Sequence, residues 1–60
     1  MKKYRVLDAN YGEWFIRAKS AAAAIAEVKA ELRAQNDRLI RSGSDYRVSD
    51  NVISCCVYGG

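Results

Sequence analysis

Sixty residues, half of them apolar and 28% charged, suffice for one small hydrophobic core and exclude both a second domain and the low-hydrophobicity composition of disordered chains. With no histidine and only two cysteines, adjacent at Cys55 and Cys56, the chain lacks the spaced ligand sets of zinc sites and the cysteine patterns of disulfide frameworks. A formal net charge of +3 favours acidic partners only weakly, because the lysines and arginines are scattered along the chain.

Residues 1–60 are read as a single domain. Met1-Lys2-Lys3 is a basic start, but Arg5, Asp8 and Glu13 place charges along the next residues before any apolar stretch develops, so no membrane partner is expected and the expected location is cytoplasmic. Neighbouring strand residues point to opposite faces, so Cys55 and Cys56 are expected as free thiols.

From Lys3 to Asp8 and from Glu13 to Ala18, apolar and polar residues keep the period of two that marks strands. Asn10-Tyr11-Gly12 suits a three-residue hairpin loop with glycine in the left-handed position, a register that pairs Val6 with Ile16 and Asp8 with Trp14. Ser20 then caps four alanines and Gly43 supplies a C′ residue, which predicts a helix over 21–41. Asn36-Asp37 are mediocre helix formers, so a break there is the alternative to the unbroken helix. Ala21, Ile25, Val28, Leu32, Gln35 and Leu39 recur every three or four residues and form the stripe expected to face a sheet. The opposite side gathers Ala23, Ala26, Ala30 and Ala34, a strip that serves helicity or the close approach of a second helix.

After Gly43, Tyr46 and Val48 alternate with Arg47 and Ser49, Asp50-Asn51 offers a two-residue turn, and a last strand is expected over 52–58. The expected fold is therefore α+β and two-layered, an antiparallel sheet of two hairpins (ββαββ) packed on one long helix. By parity, Tyr46, Val48, Ile53, Cys55 and Val57 face the helix. Arg5, Leu7, Glu13, Phe15, Arg17, Arg47, Val52, Cys56 and Tyr58 fall on the other face, which no second helix covers.

That face mixes aromatic and aliphatic side chains with three arginines, the composition enriched at interfaces. Scattered surface apolar residues are normal in so small a domain, so the mixture carries the reading. The residues assigned to partner binding are Arg5, Leu7, Phe15, Arg17, Arg47 and Tyr58. No catalytic residue, metal site or cofactor is assigned, since the chain has no glycine-rich phosphate loop, nucleophile elbow or spaced cysteine pair. An enzyme is not expected, and a small domain of this kind leaves self-association as a homodimer open.

Three functions fit these features. The whole-chain pattern of short sheet and single helix resembles the small proteins that phages encode against host defences, anti-CRISPR inhibitors among them, although no motif defines them. That resemblance implies a non-enzymatic inhibitor that binds a host protein or nucleoprotein complex and blocks one of its surfaces. The second reading is a nucleic-acid binder, with Phe15 and Tyr58 stacking bases and the arginines holding phosphates. For the third, Tyr58-Gly59-Gly60 with two hairpins around a helix resembles the ubiquitin-like modifiers and sulfur carriers, whose terminal Gly-Gly is adenylated.

Overall fold

A computed structural model describes residues 1–58 of the chain. Strands β1 (Lys2–Asp8) and β2 (Glu13–Ala18) precede the helix α1 (Ala21–Arg41), and β3 (Val52–Val57) comes after it. The sheet is antiparallel in the order β2-β1-β3, so the first strand is central and, among the described residues, both edges are open. One helix on a three-stranded sheet makes a small α+β fold. The Gly-Gly tail on which the carrier reading rests lies outside the described residues.

The helix begins where Ser20, in extended conformation, accepts the Ala23 N–H on its Oγ at 3.2 Å. It ends in a Schellman motif, with the Gly43 N–H donating to the Ile40 carbonyl and the Ser44 N–H to that of Leu39, both at 3.0 Å. Gly43 takes φ +80° there, a conformation that glycine adopts without a Cβ penalty. The helix runs unbroken through Asn36 and Asp37. It is not long and apolar enough to cross a membrane.

The helix buries Ala24, Val28 and Leu32 against Tyr4, Val6 and Ala18 of the sheet, with Trp14, Ile16, Val48, Val52 and Cys55 packed around them. The buried line is centred on Ala24, so it is turned slightly from the expected stripe: Ala21 is exposed, while Ile25, Gln35 and Leu39 are half-buried. At 1.5 Å per residue the helix is about 31 Å long, whereas a seven-residue strand spans about 23 Å. The helix therefore overhangs the sheet, and the chain after it must cover the excess.

That chain is not the expected fourth strand. Residues 44–51 form no strand; instead two asparagine side chains take up the backbone groups that a ladder would use. Asn36 donates from Nδ2 to the Val48 carbonyl at 2.9 Å and accepts the Val48 N–H on Oδ1 at 2.8 Å. Asn10 does the same for Ser49, at 2.8 and 3.0 Å. Asp50 accepts from Arg33 Nε at 3.1 Å and the Asn51 carbonyl accepts from the Ala9 N–H at 2.9 Å, so these two residues do not make a hairpin turn. Val48 packs on the core as expected, but Tyr46 is 63% exposed.

Two registers also differ from expectation. The hairpin loop is Ala9-Asn10-Tyr11, one residue earlier than expected, because the Asp8 N–H donates to the Gly12 carbonyl at 3.0 Å. Val6 is thus opposite Trp14 and Tyr4 opposite Ile16. Tyr11, not Gly12, holds the left-handed conformation at φ 63°. In β3, a register shift opposite Leu7 and Asp8 inserts Ile53 as an extra residue. Such a bulge reverses the alternation on one side of it, so Val52 packs inward and Ile53 is left 63% exposed.

Candidate functional site

The helix covers one face of the sheet and leaves the other open. On the open face β1 supplies the middle row: Lys3 lies opposite Arg17, Arg5 sits between Phe15 and Cys56, and Leu7 between Glu13 and Ser54. The chain continues beyond β3 alongside β1, where the Tyr58 N–H donates to the Lys3 carbonyl at 2.9 Å. This last bond brings Tyr58 onto the same face.

Phe15 and Tyr58 come from opposite edges of the sheet, yet their rings meet, with centroids 5.0 Å apart and planes tilted by 59°. A tilted pair at this spacing is a favourable arrangement of ring quadrupoles. It remains half open to solvent, Phe15 at 51% and Tyr58 at 46%. Lys3 Nζ lies 6.0 Å from the Tyr58 centroid, at the outer limit of a cation–π contact.

Arg5 Nε donates to Glu13 Oε2 at 2.5 Å. That hydrogen bond first, and the attraction of the Glu13 charge second, raise the guanidinium pKa above its ordinary value. Arg5 and Leu7 are half-buried and Arg17 is exposed. Among the described residues the ion pairs are Arg5–Glu13 and Arg33–Asp50, so Arg17 presents an unneutralised charge at the rim of the aromatic pair.

Five of the six residues read from the sequence as partner-binding, Arg5, Leu7, Phe15, Arg17 and Tyr58, therefore share one surface. Arg47 does not join them: it lies in the segment after the helix and donates from Nη1 to the Ser44 and Tyr46 carbonyls, both at 2.7 Å. With no fourth strand there is no ladder to carry it to the open face. Val52, also expected there, is turned inward by the bulge. Lys3 was missed, although its even spacing from Arg5 was the available signal. Cys56 is exposed opposite Arg5, and Cys55 is half-buried on the helix side with its thiol 4.0 Å from the Ala21 carbonyl.

A second polar cluster lies at the hairpin end, where a cleft of about 330 Å³ is lined by Asp8, Asn10, Gly12, Glu13, Trp14, Leu32, Gln35 and Val48. Asp8 is 2% exposed. Its Oδ1 accepts the N–H groups of Asn10 at 2.7 Å and Gly12 at 3.0 Å, and its Oδ2 accepts Trp14 Nε1 at 2.6 Å. Burial pushes this carboxyl upward, but the donors, Trp14 foremost, outweigh it and hold the pKa below the ordinary value. The carboxylate is thus an organising centre for the turn. Comparison with protein-family models, with curated proteins and with solved structures finds no match to this chain.

Proposed function

We propose that this chain is a non-catalytic binding module that docks a protein partner on the open face of its sheet. The observation that carries the proposal is the half-exposed Phe15–Tyr58 pair framed by Lys3, Arg5 and Arg17. Aromatic rings give large contact area at little conformational cost, and arginine adds directional hydrogen bonds, which is why both dominate binding hot spots. The free charges of Lys3 and Arg17 suit a partner whose apolar patch has an acidic rim. Blockade of a surface on a host defence complex, as the likeness to phage anti-CRISPR inhibitors implies, requires such a face and no turnover. A cytoplasmic location belongs to the same proposal.

A second reading draws support from the same pair, because two rings beside lysine and arginine also suit a single nucleic-acid strand, bases on the rings and phosphates on the cations. Affinity capture from a bacterial lysate with the wild-type chain and with Phe15→Ala, each with and without nuclease, separates the two. A defined protein complex that resists nuclease and is lost with Phe15→Ala supports the first reading. Recovery that vanishes with nuclease supports the second, and recovery indifferent to Phe15 contradicts both.

A further inference from the structure

The sheet ends on two open edges, each a row of N–H and C=O groups able to add a strand. We propose that β2 pairs, antiparallel, with β2 of a second copy of this chain, about a two-fold axis at Phe15, so that the two sheets become one of six strands.

Asp8 donates to Gly12 across the hairpin, and antiparallel ladders alternate, so Trp14 and Ile16 direct their backbone groups at β1. Glu13, Phe15 and Arg17 direct theirs off the free edge. The side chains of these same three residues lie on the open face. A two-fold axis at Phe15 then places Phe15 opposite Phe15, and Glu13 opposite Arg17 at both ends, with about six new backbone hydrogen bonds.

Charge selects this register among the alternatives. A two-fold axis at Glu13 or at Arg17 sets like charges against each other, one at Trp14 or at Ile16 sets Phe15 against Glu13 or Arg17 and gives up the two Glu13–Arg17 pairs, and a slip by one residue moves the apolar set to the wrong face. Glu13 receives Arg5 on Oε2, and a carboxylate accepts on both oxygens, so the same group serves Arg17 of the second copy as well. The edge of β3 has no comparable code. It carries no charge, and its bulge at Ile53 interrupts the ladder, one of the ways native sheets protect an edge. On the open face the dimer joins two Phe15–Tyr58 pairs into one aromatic row and turns each Arg17 to Glu13 of the second copy, so Lys3 is the cation left there for a further partner.

Sedimentation of the wild-type chain from about 10 µM to about 1 mM reads the association. The expected result is a reversible monomer–dimer equilibrium, with amide exchange at Glu13, Phe15 and Arg17 slowing as concentration rises. Arg17→Glu and Glu13→Arg each set like charges opposite at both ends and weaken association about tenfold or more, with unchanged circular dichroism. An equimolar mixture of the two variants restores opposite charges and returns the dimer. The proposal is overturned by a wild-type chain that stays monomeric with concentration-independent exchange, by a dimer that survives both single reversals, or by variants that fail to pair when mixed.

Discussion

At Gly12 an added Cβ would sit 2.5 Å from Asp8 Oδ2, so the absence of a side chain lets the turn close around a buried carboxylate. Gly12→Ala must displace that carboxylate from its donors, and we expect a loss of about 1–3 kcal/mol in denaturant unfolding. The expected αL role for Gly12 was wrong because Tyr11 occupies that conformation; space, not φ, is what glycine supplies here. The lowered pKa of Asp8 has a definite sign. Its stabilisation is complete above the ordinary carboxylate value of 3.8 and is lost as pH falls below that toward the folded value, since the unfolded chain binds the proton first. Asp8→Asn, which sets an amide N–H₂ or a lone acceptor against three donors, should lower stability at neutral pH by about 1–3 kcal/mol and flatten the acid limb. An acid limb of unchanged slope in that variant would contradict the assignment. The sequence put Asp8 across from Trp14, and the two do meet, through an indole N–H rather than by strand register.

For the elements, legibility tracked the length of the signal. The helix limits were readable because Ser20 and Gly43 each have one cheap conformational role. The alternation of β1 and β2 was readable because six or seven residues sustain it. The segment after the helix was not: Tyr46-Arg47-Val48-Ser49 alternates like a strand, and nothing local reveals that Asn36 and Asn10, distant in sequence, will occupy its backbone groups. The bulge at Ile53 escaped for a similar reason, since one extra residue depends on the partner strand. Asn36→Ala removes both bonds to Val48, and we expect a cost of about 1–3 kcal/mol together with much faster amide exchange at Val48. Exchange as slow as in the wild type would mean that packing of Val48, not the amide, holds the segment.

At the scale of the molecule, the two layers bury one side of the sheet and, among the described residues, leave the other without cover, so the exposed aromatic pair follows from the single helix found there. That much of the candidate site was legible from parity alone. The approach of Phe15 and Tyr58 was not, because it requires knowing that β1 is central and that Tyr58 continues the ladder. If the open face is the contact surface, Phe15→Ala should weaken partner binding by about 2 kcal/mol or more while the thermal midpoint stays near that of the wild type. Titration calorimetry and a melt on the same sample check both halves. The asparagine clamps bear on time as well as on stability. The bonds between Asn10 and Ser49 tie the hairpin loop to a segment 39 residues later in the chain, so this clamp is expected to close late in folding, once the hairpin and the post-helix segment are in place. Contacts made after the transition state leave the refolding rate alone and govern escape from the native state. Asn10→Ala should therefore accelerate unfolding in a stopped-flow chevron with the refolding arm unmoved, in which case the clamp on Ser49 lengthens the native lifetime.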